Sequence, residues 1–391
     1  AAKSVKMDVA PYLDKSLSRT FVPVRFVAES LGYSVGWDSV EKTVIIIDPN
    51  TLFANADTDF SIISKLLKTD LDLEKSYAST GTFDMNMTSY ESTGAMMSGL
   101  NFDMSGTMTG VQQKSNADMT MKLAFNFDKM LASLSTEDKA QIEPFLAMYK
   151  NAEMKVKMNG ETGDMYMNSS LFSAMDPTVT ANTWYKMNAY DTYEQMGIDL
   201  KSLTGLSMND MKVSEMLAAS FSSQQYMTVS TYEDTKMGYE LAKSLIGDDS
   251  FKKTTNGNIT TYTLNLNQAS VLAAIAKTAL TNGLTTDDFN MTDLGTLLDG
   301  TQVSSTIVIK DKAGSLYNYS IKGSAVIDDA SCSLNMTGDQ LNVVCNVTFD
   351  QKDTMKLTMD VESHVKESAT APDLTLPANA VVVDYPVYPA Y

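Results

Sequence analysis

Histidine is nearly absent from this 391-residue chain, which contains only His364. A copper site built from three histidines is therefore impossible, and any histidine-dependent catalytic triad would have to use that one residue. The sequence also has no Cys-x-x-Cys pair, no His-Glu-x-x-His motif and no glycine-rich phosphate loop. We therefore predict a protein that is not an enzyme and that has no cofactor and no metal site.

Basic residues are in the minority, with 30 Lys and Arg against 48 Asp and Glu, and the formal net charge is −18. Nucleic acid and anionic lipid headgroups would repel such a chain, which argues against both as partners. Apolar runs are short, and none approaches the roughly 18 to 20 residues of a membrane span. We expect no transmembrane segment in the chain as given. It begins at Ala1 without a leader, which is compatible with a trimmed export signal or lipid anchor.

Cysteine is scarce as well, but the spacing of the two cysteines is informative. Folding the chain about a two-residue turn at Gly338 and Asp339 places Cys332 directly opposite Cys345. Neighbouring strands are closest at such a non-hydrogen-bonded pair, so a disulfide could form there. A disulfide would indicate an oxidising compartment, at the cell surface or outside the cell. The alternative is a pair of buried free thiols.

Methionine, by contrast, is abundant, with 27 residues, many of them two positions apart. From Gly81 to Phe127 apolar residues alternate with polar ones, which is typical of strands with one buried and one solvated face. We therefore predict the α+β class, with a large antiparallel sheet whose inner face carries methionines and aromatic rings. The candidate ligand-binding residues on that face are Phe83, Met85, Met87, Phe102, Met104, Met121, Phe125, Met167 and Met187.

Three interpretations of these methionines remain open. They can fill an ordinary core in place of Leu and Ile. A flexible and polarizable methionine surface can also adapt to variable apolar ligands. Finally, pairs of thioethers on one strand face could hold Cu(I), which is a soft metal ion.

The N-terminal segment combines one helix with two short strands. A helical stripe runs from Val24 to Leu31 after Pro23, and strand patterns follow at Val35–Trp37 and Val44–Ile47. The elements R-T-F-V-P-V-R-F-V-A-E-S-L-G, V-x-W-D and K-T-V-I-I-I make residues 5–48 resemble the copper amine oxidase N-terminal-like, or stalk, domain of exported Gram-positive proteins. The resemblance implies a small αβ appendage that holds no copper itself, and an extracellular or cell-surface location.

The polar segment 49–59 contains Pro49 and is predicted to be a linker. The domains are then 1–48, a stalk-like domain, and 60–391, which starts with a helix carrying Ile62, Ile63, Leu66 and Leu67. Another set of helices is expected between residues 190 and 247.

The second domain has an order of elements that resembles LolA-like and LppX/LprG-like envelope lipoproteins. The resemblance spans roughly residues 60–384 and rests on an opening helix, a strand array from Ser76, the strand at Trp184–Asn188, an Asn-Gly-Asn hairpin and a final L-P-A-N-A-V-V. It implies a curved antiparallel half-barrel covered by helices, which in those families carries acyl chains. The helical insertion near residues 200–250 departs from that pattern.

Two functions follow as hypotheses. The first is a secreted or cell-surface, non-enzymatic envelope protein that binds a lipid or other apolar ligand on the concave methionine and aromatic face. The second is a structural or adhesive surface protein with a filled core, whose partners are wall polymers or other surface proteins. The second hypothesis predicts an exposed apolar patch elsewhere.

Overall fold

The computed structural model describes residues 10–68, 70–90, 101–176, 178–195, 212–222, 228–283, 302–327 and 329–385. It has a mixed α+β fold with a large, mostly antiparallel sheet, as predicted. Its contacts divide the chain into two compact units. The first comprises residues 1–67, 210–251 and 272–289, and the second comprises residues 68–209, 252–271 and 290–391.

The first unit contains two small hairpins and a set of helices. In chain order its elements are β1 (Tyr12–Asp14), β2 (Arg19–Phe21), α1 (Val24–Ser30), β3 (Ser34–Asp38), β4 (Thr43–Ile47), α2 (Pro49–Leu52), α3 (Ala56–Asp59) and α4 (Ser61–Ser64). The predicted helix and the two strands after it are therefore present.

The predicted linker at residues 49–59 is instead largely helical. Pro49 lies at the first turn of α2, and the Asp48 carboxylate accepts a hydrogen bond from the backbone N–H of Asn50. These residues are N-terminal helix signals as well as loop formers. Phe53, Ala56 and Phe60 recur at the helical spacing of three and four residues, and all three are buried.

The second unit contains most of the remaining strands and several helices. Its elements up to residue 209 are β5 (Ser76–Ser89), β6 (Phe102–Gln113), β7 (Asn116–Asn126), α5 (Asp128–Ala132), α6 (Thr136–Ala147), β8 (Asn151–Met158), β9 (Asp164–Ser169), α7 (Ser170–Met175), β10 (Thr183–Asn188) and α8 (Ala189–Gln195). The helices α9 (Val213–Ser222) and α10 (Val229–Ile246) then return to the first unit.

The rest of the chain completes the sheet. Its elements are β11 (Lys252–Asn256), β12 (Ile259–Asn267), α11 (Gln268–Thr281), β13 (Gln302–Lys312), β14 (Ser315–Ile327), β15 (Ala330–Gly338), β16 (Asn342–Gln351), β17 (Met355–Ser368) and β18 (Val381–Asp384). The strand order is β11-β12-β13-β14-β15-β16-β17-β5-β6-β7-β8-β9-β10-β18, and only the β10–β18 pair is parallel. Because β11 and β18 form the two ends of this order, the sheet is not closed.

The core of the first unit joins segments that are far apart in sequence. Phe53, Ala56 and Phe60 pack against Ala218 and Phe221 of α9. Partly buried residues around this cluster come from β4, α2, α9 and α10; they include Ile45, Leu52, Leu217, Tyr239 and Ile246. The sequence-based division places α9 and α10 in the second domain, but their apolar side chains complete the core next to the N-terminal segment.

Helix α1 does not bury the stripe that the sequence predicts. Ala28 is buried, but Val24, Val27 and Leu31 are exposed by 53%, 43% and 70%. Tyr12 and Phe21 on the first hairpin are also exposed. The described part of the N-terminal segment therefore presents apolar side chains to solvent.

The predicted disulfide between Cys332 and Cys345 is wrong. The chain turns at residues 339–341, between β15 and β16, so Cys345 pairs with Met336 and Cys332 pairs with Phe349. An offset of four residues corresponds to about 13 Å along a strand, beyond the roughly 7 Å limit for a disulfide. Both cysteines are free thiols, and Cys332 is exposed. The disulfide therefore no longer supports an oxidising compartment.

The Asp339 side chain explains why the turn lies further along the chain than predicted. Its carboxylate accepts hydrogen bonds from the backbone N–H groups of Leu341 and Asn342, at 2.7 and 2.8 Å. The Asp339 N–H donates to the carbonyl of Asn342. This local bonding favours a turn that follows Gly338 over the glycine-led two-residue turn at Gly338 and Asp339.

Candidate functional site

The nine candidate residues lie on one face of the sheet. In the centre, Met85 pairs with Met104, which in turn pairs with Phe125, while Met87 pairs with Phe102. Phe83 and Met121 have the same strand parity as these residues, so their side chains share the face. The alternation of apolar and polar residues thus correctly predicted that these side chains share one face of the sheet.

The same face continues to β10. Met121 pairs with Met154 on β8, and Val156, two residues further on, pairs with Met167 of β9. Met187 of β10 pairs with Met165, which has the same parity as Met167. The face also continues the other way from Phe83, through the cross-strand row Val361, Cys345, Met336, Ile321, Ile307 and Leu264. We call this surface, from β12 to β10, the Met/aromatic face.

Most of this face is only half-buried. Of the nine candidates Met87 is buried, at 7% exposure, and the other eight are intermediate. Their neighbours Asp84 and Asn86, on the opposite face, are exposed. Phe127, just after β7, stacks on Phe125 with ring centroids 5.9 Å apart. The apolar side is thus partly covered by its own aromatic residues.

Two clefts lie along the same strands. The first has a volume of about 530 Å³, and three of the nine candidates, Met85, Met104 and Phe125, line it. Polar residues such as Asp84 and Ser105 and the α6 residues Glu143 and Leu146 complete its lining. The second, about 760 Å³, is lined mainly by polar residues, among them Thr82, Thr107, Lys122, Glu153 and Ser170. Ion pairs neutralise some of the carboxylates along these clefts. Lys129 Nζ lies 2.8 Å from Asp103 Oδ1, and Lys155 Nζ lies 2.7 Å from Glu153 Oε1. The sequence analysis named three residues of the first cleft as candidates, but it predicted neither the polar lining of the first cleft nor the second cleft.

A third cavity lies among the helices of the first unit, is partly open to solvent and is almost entirely apolar. Its volume is about 330 Å³. Helices α2, α3, α4, α9 and α10 and the residues next to them line it with Phe53, Phe60, Ile63, Leu67, Val213, Leu217, Ser220, Phe221, Thr235, Gly238, Tyr239, Ala242 and Ile246. We call it the helical cavity. The helical pattern from Val213 to Phe221 was visible in the sequence, but nothing in it indicates that this helix faces residues 53–67.

A cluster of three polar side chains lies beside the helical cavity. The Tyr239 hydroxyl donates a hydrogen bond to Asp59 Oδ2 at 2.7 Å, and Lys243 Nζ lies 3.1 Å from the same oxygen. Burial raises the pKa of Tyr239, and its hydrogen bond to Asp59 raises it further. The hydrogen bond to Asp59 likewise raises the pKa of Lys243. The charges of Asp59 and Lys243 therefore balance each other.

Groups suited to metal binding are not brought together in the part of the chain that the structure describes, where no three His, Cys, Asp or Glu residues cluster. His364 is half-exposed and lies between Asn342 and Glu362, with ring nitrogens 2.9 and 2.8 Å from their side-chain oxygens. None of the helices in the described ranges combines the length and hydropathy needed to cross a membrane.

Comparison with solved structures gives weak matches to outer-membrane proteins. The KdgM porin is 5% identical, with 73% of this chain and 98% of that chain covered and a TM-score of 0.13. Ail, the attachment invasion locus protein of Yersinia pestis, is 6% identical, with 75% and 99% covered and a TM-score of 0.13. OmpF of Salmonella typhi is 8% identical, with 76% and 99% covered and a TM-score of 0.16. Such low TM-scores do not establish a shared fold or function.

Comparison with curated proteins found no match. None of these results supports the resemblance of residues 60–384 to LolA-like lipoproteins. The N-terminal resemblance is confirmed, and over a longer range than predicted: residues 1–57, which include α2, match the family model of the copper amine oxidase N-terminal domain.

Proposed function

We propose that this chain is an exported, non-enzymatic protein that binds an apolar molecule, such as a lipid acyl chain, on its Met/aromatic face. The observation that carries the proposal is the continuity of this face across neighbouring strands, with eight of the nine candidates only half-buried. In this proposal the sheet curves into a half-barrel around the ligand.

The chemistry of the face favours binding over catalysis. Thioethers and phenyl rings provide no general acid, general base or activated nucleophile. Methionine side chains have several rotatable bonds and a polarizable sulfur, so they can adapt to acyl chains of different shapes. A large, partly exposed apolar surface is also typical of an interaction site rather than of a finished core.

The N-terminal match supports export. Residues 1–57 match a domain family whose resemblance implies an appendage of extracellular or cell-surface proteins. An envelope location would also bring the Met/aromatic face close to lipids or lipoproteins.

Native mass spectrometry of the full chain, combined with lipid extraction, tests this proposal. Binding of a fluorescent fatty acid would then be measured for the triple variant Met85→Gln/Met104→Gln/Met121→Gln. We expect it to weaken affinity by at least about tenfold, because polar amides oppose burial of the ligand. The triple Leu variant keeps the face apolar and should bind like the wild type. Thr107→Gln, on the exposed opposite face, serves as the second control.

Three results would overturn or redirect the proposal. A folded wild type that neither carries lipid nor binds the probe would refute it, as would a Gln variant with unchanged affinity. Loss of Cu(I) binding in the Leu variant would point to the thioether metal site instead.

A structural or adhesive role is the second candidate. Exposed apolar residues in the N-terminal segment favour it, notably Tyr12, Leu31 and Trp37 at 65%, 70% and 52% exposure. Binding of the full chain to insoluble cell-wall polymer, together with a ligand-free sheet, would support this role. Absence of wall binding would exclude wall polymer as the partner.

A further inference from the structure

The helical cavity has the size of a small-molecule site. Its volume of about 330 Å³ is roughly twice that of an apolar cavity of about 150 Å³ that binds benzene. It also falls at the lower end of the range for ligand pockets, about 300 to 1,000 Å³. A compact molecule of one or two rings would fit this volume.

Aromatic side chains line the cavity in geometries that favour another ring. Tyr239 meets the ring of Phe60 at 86° and that of Phe53 at 59°, with both centroid distances 5.7 Å. Phe53 also contacts Phe221 edge to face, with the centroids 6.1 Å apart. Edge-to-face and tilted pairs are the favourable arrangements for aromatic rings, so an aromatic ligand would extend an existing cluster.

The polar groups near the cavity are already engaged with each other. The Tyr239 hydroxyl and the Lys243 ammonium group both bind Asp59. The Thr235 hydroxyl donates to the Thr231 carbonyl at 2.8 Å. A charged ligand would therefore find no free counter-charge among these groups, and burying an unpaired charge is costly.

Gly238 lines the cavity and is exposed to solvent. It lies inside the 18-residue helix α10, where glycine costs about 1 kcal/mol relative to alanine. A Cβ added at Gly238 would meet nothing within 4 Å, and its φ is not positive. Neither backbone conformation nor close packing requires glycine here, so a larger side chain can be introduced at this edge of the cavity without overlap.

From these observations we infer that the helical cavity binds a small uncharged aromatic molecule. This site is separate from the Met/aromatic face and belongs to the other compact unit. It therefore does not depend on the function proposed for the sheet.

Calorimetric titration of the full chain with indole tests the inference. Gly238→Leu places a side chain at the exposed edge of the cavity, and we expect it to weaken indole binding by at least about tenfold. Its thermal stability should be no lower than that of the wild type, because leucine is the better helix former. Lys236→Leu is the matched control, since Lys236 is exposed on the same helix and does not line the cavity. It should bind indole like the wild type.

A second variant, Ile246→Phe, fills the cavity from another position. It allows the inference to be tested even if Gly238→Leu does not fold. The inference fails if the wild type does not bind indole, or if both folded variants bind it unchanged. The Met85/Met104/Met121 Gln variant separates the two sites. Loss of indole binding in that variant, with binding retained in Gly238→Leu, would assign indole to the sheet and overturn the inference.

Discussion

The ring of Phe83 packs over a glycine on the neighbouring strand. Because of this contact, a larger residue at the glycine position would overlap the ring. Phe83 pairs with Gly106, and a Cβ added there would lie 2.3 Å from Phe83 Cε1 and 2.8 Å from the Lys122 carbonyl oxygen. The aromatic ring thus occupies the space that a side chain on β6 would need. Packing of an aromatic ring over a strand glycine compensates for the missing side chain.

We predict that Gly106→Ala lowers the free energy of unfolding by about 1 to 3 kcal/mol, because the new methyl group overlaps the ring and the backbone. Urea unfolding of wild type and variant would measure the change. Gly323→Ala is the control, since Gly323 also lies in a strand on the Met/aromatic face but has no atom closer than 3.8 Å to an added Cβ. It should be neutral or stabilising by about 0.5 to 1 kcal/mol. Equal effects at the two glycines would contradict the Phe83 contact.

Tyr239 gives the first unit a dependence on alkaline pH. Its folded pKa, like that of Lys243, is raised above the ordinary value. A raised pKa means that the stabilisation is fully present below the unfolded pKa, about 10 for tyrosine, and is lost as the pH rises further. We therefore expect the stability difference between wild type and Tyr239→Phe to shrink as the pH rises above about 10.

Chemical denaturation from pH 8 to 11 would measure this difference. Tyr232→Phe, on the same helix, leaves the Asp59 hydrogen bonds in place and serves as the control. A difference for Tyr239→Phe that stays constant across the pH range would show that its hydroxyl does not contribute in this way.

In the β15–β16 hairpin, the position of the turn determines the register of the two strands, and so which residues pair across them. The Asp339–Asn342 hydrogen bond places Met336 and Cys345 at a non-hydrogen-bonded pair, where strands are closest. We predict that the double variant Cys332→Ser/Met336→Cys forms a disulfide on mild oxidation. By the chain-entropy estimate the closed loop would add about 2 to 3 kcal/mol of stability.

Thiol counting on the denatured, unreduced proteins would test this register. The wild type should return two free thiols and the oxidised double variant none. A wild-type disulfide between Cys332 and Cys345 would instead restore the two-residue turn predicted from the sequence.

The chain divides into two compact units, and the first has a core built from distant segments of the sequence. Phe221, at 2% exposure, packs on Phe53 in the first unit. We predict that Phe221→Ala lowers the stability of this unit by about 3 to 5 kcal/mol. In hydrogen-exchange mass spectrometry, residues 49–64, 213–222 and 228–246 should exchange faster, while β5–β7 stay protected. Unchanged exchange at 49–64 would contradict the shared core.

Several features of the fold could be predicted from local sequence alone. Alternation of apolar and polar residues placed Met85, Met104 and Phe125 on one face, because successive side chains of a strand point to opposite sides. Likewise, Val24–Ser30 forms a helix after Pro23, although its apolar stripe remains exposed. Periodicity identifies an element and its apolar side, but it does not show what covers that side.

Long-range contacts decided the rest. Phe53 and Phe60 lie in a polar segment, and their role is visible only once Ala218 and Phe221 are packed against them. The cysteine spacing allowed two hairpin registers, and the bonds of Asp339 selected the one without a disulfide. The sequence by itself determined which residues alternate and which form helices, because these depend on neighbours a few positions away. Only the tertiary structure decided the shared core, the helical cavity and the strand register, since each depends on contacts between distant segments or on the geometry of one loop.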